Sequence, residues 1–137
     1  MPWTLTEVHL FNSKPTTYLP HTNPFLFVDE ILSLEQGIGA TGLKVVTHDQ
    51  GGYPGVLLLE SIAQLAGIAA AQDKGEGGFL AKVDHAEFTA WLQAGDRIII
   101  TARIVKSFGR LHLCEGEATV EGNKVASASL TLGVGKL

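Results

Sequence analysis

One carboxylic acid, Glu60, stands inside an otherwise apolar stretch, PGVLLLESIAQLAG (54–67), among Leu57, Leu58, Leu59 and Ile62. At helical spacing Val56, Glu60, Gln64 and Gly67 fall on one line, with Ser61 beside it, so a narrow polar stripe runs along a greasy cylinder. A carboxyl group facing an apolar enclosure has its charged form disfavoured, which suits it to general acid catalysis. The same residue type in the same place also fits a buried glutamate satisfied by a backbone group or by a basic partner from another strand. Pro54 and Gly55 open the stretch. The N–H groups at a helix start carry partial positive charge and can stabilise an oxyanion or enolate, although a Pro-Gly pair also serves simply to turn a chain into a helix.

A base to face such an acid must come from the histidines. His48 lies in the loop HDQGG just before the helix, next to Asp49, where it is either a catalytic base opposite Glu60 or a solvated loop residue. His21, in LPHTNP, reads as a structural hydrogen-bonding residue or as part of a site wall, and His9, His85 and His112 read as surface or strand positions. His112 shares a strand face with Arg110 and Cys114, but one histidine and one thiol make neither a metal site nor a nucleophilic couple. No metal motif, nucleophile elbow, phosphate-binding loop or GxGxxG is present, so neither metal nor cofactor is expected.

These groups need a frame. FLFVDEILSLEQ (25–36), closed by Gly37, and ATGLKVVT (40–47) read as two strands able to form a hairpin. A short helix is expected near Ser13 to Tyr18. The apolar helix follows, with Pro54 suited to its first turn and DKGEGG (73–78) stopping it. RIIITARIV (97–105), RLHLCEGEATV (110–120) and KVASASLTLGV (124–134) alternate and are β-branched, joined at Gly109 and at the turn EGN (121–123), which predicts an antiparallel meander. In the last strand Ala126, Ala128, Leu130 and Leu132 form the face to be buried, opposite Val125, Ser127, Ser129 and Thr131. A helix apolar nearly all round must be covered on most sides, so the economical architecture is α+β: a curved antiparallel sheet wrapped round one central helix. Ala63, Ala66, Gly67 and Ala70 then serve close packing.

Length and composition agree. The 137 residues, 45% hydrophobic with a net charge of −4, form a single domain (1–137) able to bury a core, and the scattered basic residues exclude a nucleic-acid face. One cysteine, no signal-like N-terminus and no span of apolar residues long enough for a membrane point to a cytoplasmic protein.

LPHTNPFLFVDEIL (19–32), PGVLLLESIAQLAG (54–67) and GFLAKVDHAEFTAWLQAGDRIIITARI (78–104), with the closing CEGEATVEGNKVASASLTLGV, resemble the FabZ/FabA-type 3-hydroxyacyl-[acyl-carrier-protein] dehydratases, which have the hot-dog fold. The resemblance implies a further strand beginning near Gly78, and dimers, either of this chain alone or with a second dehydratase-like chain, around an acyl tunnel. It also implies a substrate carried as a 3-hydroxyacyl thioester on acyl carrier protein or coenzyme A. In that family a histidine of the motif GHFPxxPxMPG removes the α-proton, and a helix carboxylate from the other subunit helps the 3-hydroxyl leave as water. Glu60 matches that acid and Gln64 the glutamine one turn on, with Pro54, Gly55 and His21 at substrate-binding positions. The histidine motif is absent. After KVVT only HDQGGY precedes Pro54, leaving His48 as a displaced candidate base, and this shortened loop also resembles dehydratase-like proteins of aryl-polyene clusters.

Three functions compete: a 3-hydroxyacyl dehydratase in fatty-acid or polyene-type chain synthesis, a non-catalytic or half-catalytic subunit of a heteromeric dehydratase, and a hot-dog acyl thioesterase whose helix carboxylate activates water. The agreement at ESIAQ and LPHTNPF favours the first.

Overall fold

The computed structural model describes residues 13–18, 26–47, 53–71 and 76–136. A 3-10 turn at Pro15–Thr17 stands where the short helix was expected. It is followed by β1 (Glu30–Glu35), β2 (Gly39–Val45), helix α1 (Gly55–Ala70), β3 (Glu76–Phe88), β4 (Arg97–Phe108), β5 (Leu111–Val120) and β6 (Asn123–Lys136). The strands make one antiparallel sheet in the order β1-β2-β4-β5-β6-β3, with α1 across it. This is the α+β sheet-round-helix architecture that the alternating strands and the apolar helix demand.

The meander forms as its turns dictate. Glu121 and Gly122 both take positive φ, 51° and 80°, between the paired residues Val120 and Asn123, as a two-residue hairpin with the native strand twist requires. Ala126, Ala128, Leu130 and Leu132 are buried as their alternation predicts. Val125, assigned to the wet face, is buried as well, because the β5–β6 register shifts between Ala118 and Thr119 and leaves Val125 as the extra residue of a bulge.

The helix sinks progressively into this sheet. Its first residues are open, Val56 being 62% exposed, whereas Ser61 to Ala70 are buried throughout. Small residues set the approach. A β-carbon on Gly67 would lie 3.8 Å from the Cα of Gly78 on β3, and one on Gly116 of β5 would strike the side chain of Ile62. The other end of the helix is capped from the β1–β2 turn: Gln36 Nε2 donates to the carbonyl oxygens of Ile68 (2.8 Å), Ala69 (3.1 Å) and Ala71, and the Gly37 N–H donates to Ala69 at 2.7 Å. Carbonyls that a helix terminus leaves unpaired are thereby satisfied.

The strand β3 departs most from what the residues alone indicate. It pairs with β6 from Glu76, inside the stretch DKGEGG expected only to end the helix, and forms one edge of the sheet. Beyond Gly78 much of it is open, with Phe79, Leu80, Val83 and Phe88 exposed among the described residues, until the Phe88 ring meets the helix start at Gly55. β1 in turn is shorter than the predicted 25–36 strand, since Leu26 to Asp29 precede its pairing with β2.

Candidate active site

The polar stripe of α1 becomes a connected cluster once the chain before β1 packs on it. Gln64 is 3% exposed, and its Oε1 accepts the Phe27 N–H at 3.0 Å while its Nε2 donates to Glu60 Oε1 at 3.0 Å. Ser61, fully buried, sits 2.7 Å from the carbonyl oxygen of Phe27 and 2.9 Å from that of Leu57, its one proton shared between them. Phe27 is therefore gripped at both its N–H and its C=O by two helix side chains. Glu60, one turn nearer the open end than Gln64, is half-buried rather than enclosed within the single chain, and its carboxylate is oriented by the Gln64 amide.

The helix start carries no side-chain cap. Pro54 is the N-cap residue, with φ −64° and ψ 136°, rather than the first helical one, and makes no side-chain cap bond; the first turn carries no acidic residue. No side chain of the cap or first turn competes for the N–H groups that follow Pro54. Gly55 is required sterically. Its β-carbon position lies 2.7 Å from the Phe88 ring at the end of β3, so the ring closes over the helix start where any larger residue would stand. Tyr53 is tied down by its own backbone, its N–H donating to the Leu92 carbonyl at 3.0 Å. A cavity of about 410 Å³ opens beside this end of the helix, walled by Tyr53, Val56, Leu58, Phe88, Trp91 and Leu92.

The structure thus joins Glu60, Gln64, Pro54 and Gly55 along one helix end. His48 and His21 lie outside the described residues. His85 is an exposed strand residue, within 3.4 Å of Glu87. His112 is buried on β5, its Nδ1 2.7 Å from the Ser107 hydroxyl. Cys114, two residues on, is buried too, and burial pushes its thiol up to about 11, so it is no nucleophile. Among the described residues no group of three metal-ligating side chains exists, and no helix is long and apolar enough to cross a membrane. The residues missed by sequence reasoning are Phe27, whose backbone completes the clamp, and Phe88 and Tyr53, which flank the helix start. Only Tyr53 had a signal, its place directly before Pro-Gly.

Comparison with known proteins follows the same outline. The family model of the FabA-like domain matches residues 19–129. The 3-hydroxyacyl-[acyl-carrier-protein] dehydratase FabZ of Listeria monocytogenes serotype 4b is 34% identical over 87% of this chain and 92% of its own, and FabZ of Lactococcus lactis subsp. cremoris is 32% identical over 96% and 100%. Among solved structures, the dehydratase heterocomplex ApeI:P from Xenorhabdus doucetiae superposes with a TM-score of 0.75 at 16% identity, covering 90% of this chain and 91% of that one. A Streptococcus mutans protein bound to acetyl CoA superposes with a TM-score of 0.70 at 18% identity, over 87% and 97%.

Proposed function

The chain belongs to the FabA-like family, and from that premise we propose that it is a 3-hydroxyacyl-thioester dehydratase of fatty-acid or polyene-type chain synthesis, with Glu60 as its acid. The observation that carries this is the oriented carboxylate beside an uncapped helix start: Glu60 is held by Gln64, and Gln64 by the backbone of Phe27. A thioester carbonyl placed at the N–H of Gly55 becomes the enolate oxygen when the α-proton leaves, and the helix dipole favours the charge that develops there. The electron pair of the broken C–H bond forms the new double bond as the 3-hydroxyl departs, protonated by Glu60, as water. His48 is the base in this scheme, since it directly precedes the helix in a loop too short for the family's histidine motif. The carrier of the acyl group is acyl carrier protein or coenzyme A, as in the names of the FabZ relatives and the acetyl-CoA-bound neighbour.

Hydration of an enoyl thioester, the reverse reaction, tests the proposal. The purified protein consumes the enoyl substrate, and Glu60→Gln, which keeps the size of the side chain and its bond to Gln64 but cannot shuttle a proton, lowers the rate about 10²- to 10⁴-fold. His48→Ala does the same; normal turnover by that variant removes the base assignment.

A second reading rests on β3. Leu80, Val83 and Phe88 face the helix side of the sheet yet remain exposed along an edge that is unpaired among the described residues, an arrangement suited to pairing with another chain. If that chain is a paralogue with an intact histidine motif, this protein contributes Glu60 to a mixed site, in keeping with a structural neighbour that is itself a heterocomplex. Enoyl hydration appearing only when the two chains are mixed supports this reading, and hydration by the lone chain rejects it.

A further inference from the structure

The exposed apolar residues of β3 divide between the two faces of the sheet. Leu80, Val83 and Phe88 stand on the helix side, but Phe79 is paired with Gly133 of β6, Gly133 with Leu111 of β5, and Leu111 with Phe108 of β4, so these four make one row straight across the sheet. Residues directly opposite in an antiparallel ladder share a face, and Gly133 continues the face of Ser127, Ser129 and Thr131, turned away from the helix. Phe79 is 61% exposed, Phe108 54% and Leu111 45%. Gly133 sets the shape of the row. A β-carbon there would strike the Phe79 ring, so the ring lies over the glycine and keeps its outer side open. Lys106 Nζ, 4.8 Å from the Phe108 centroid, steadies the ring at the other end.

Three apolar side chains of this size in one row, outside the core, form a patch suited to being covered by a partner. Charge, shape and area agree on which partner. On the rows between this one and Glu87 the ion pairs Lys82–Asp84, Arg103–Glu115 and Lys124–Glu117 cancel, at 3.0, 2.9 and 3.2 Å, and Lys106 offsets Glu87. The face therefore carries no excess negative charge although the whole chain is at −4, so two copies can meet here without the repulsion that net charge imposes. The row is also self-complementary. Across the strands it runs aromatic, small, large, aromatic, so turning a copy about an axis along the strands between β5 and β6 sets each Leu111 over the other's Gly133 and each Phe108 over the other's Phe79. From Phe79 to Glu87 the four strands span about 19 by 26 Å, roughly 500 Å² in projection and about 1,000 Å² for two copies, the size at which specific interfaces begin.

We propose that this outer face joins two copies of the chain back to back, with the row Phe79, Gly133, Leu111 and Phe108 as its apolar contact. Glu60 and α1 lie on the other side of the sheet and the β3 edge stays free, so the contact competes with neither the reaction nor edge pairing.

Two measurements test it. In stacked copies the Leu111 positions lie about 11 Å apart, one strand spacing and one sheet spacing, whereas pairing β3 to β3 would put them five strand spacings, about 24 Å, apart. Leu111→Cys adds an exposed thiol to a chain whose own Cys114 is buried, and a short bismaleimide is expected to join two chains of this variant and none of the wild type. Sedimentation of Phe108→Ser/Leu111→Ser, both away from the β3 edge, is expected to give half the wild-type mass with an unchanged circular dichroism spectrum; if the double variant does not fold, the cross-link decides. No cross-linked pair, a monomeric wild type, or a folded double variant of wild-type mass overturns the self-association and leaves the row to a partner of another kind.

Discussion

Gln64 Nε2 donates to Glu60 Oε1 at 3.0 Å, and the direction of that bond is fixed from outside the pair: the Phe27 N–H, 3.0 Å from Gln64 Oε1, can only donate, so the amide nitrogen must face the carboxylate. The helix glutamine is thus a positioning residue for the acid. Substituting Gln64→Leu preserves apolar packing but leaves the Phe27 N–H without its acceptor and Glu60 without its guide. Urea denaturation is expected to show a loss of about 1–3 kcal/mol, and enoyl hydration to fall by up to about a hundredfold through kcat, with KM little changed. Gln64→Glu keeps an acceptor for Phe27 but, when ionised, cannot donate to Glu60. It is expected to recover stability relative to Gln64→Leu and not activity; recovery of both would show that the amide does not orient the acid.

The Phe88 ring occupies the space that a β-carbon on Gly55 would need, 2.7 Å away. Gly55→Ala therefore forces the ring off the helix start, with a destabilisation of about 1–3 kcal/mol for overpacking. Because the clash is with one side chain at a strand end, Phe88→Ala in the same chain is expected to relieve it, and a double-mutant cycle to return a coupling of about 0.5–3 kcal/mol. Additive effects in that cycle would mean that Gly55 is needed for its backbone alone.

Two groups give the protein a falling stability at alkaline pH. Burial raises the Cys114 thiol from 9.0 to about 11 and the Tyr53 phenol from 10.0 to about 12. In each case the folded chain holds a proton that the unfolded chain releases sooner. The stabilisation is complete below the unfolded value, then, and is lost as pH climbs from about 9 to 11 for the thiol and from about 10 to 12 for the phenol. Thermal melts across this range are expected to show a decline that is shallower in Cys114→Ala at its lower end and in Tyr53→Phe at its upper end. The native thiol is also expected to resist alkylation at pH 8 and to react on unfolding.

Much of this protein is legible from local pattern. The period-2 alternation of 124–134 states which face is buried, the pair Glu121–Gly122 states where the last hairpin turns, and the lone acid in PGVLLLESIAQLAG stands out as the residue proposed above for the acid. The edge strand β3 is not legible in this way. EGGFLAKVDHAEF shows no clean alternation, because from Phe79 to His85 neither of its faces is covered among the described residues, and a stretch without a buried face leaves no period in its sequence. Its pairing with β6 also breaks register twice, at Ala81 and Asp84.

The sequence by itself determines that there is one apolar helix with an acid on a polar stripe and a meander to wrap it, since side-chain periodicity reports the face each residue must turn to the core. Only the tertiary structure decides what holds the acid and the helix around it: Phe27 and Gln64 are 37 residues apart, Tyr53 meets Leu92 in an isolated bridge outside the strands, and Gln36 caps a helix that ends more than thirty residues later. Each of these bonds has a backbone group on at least one side, and backbone groups are chemically alike at every position, so the sequence does not say which of them is the partner. They exist because packing the helix into a curved sheet brings those segments together and leaves their polar atoms no water to bind.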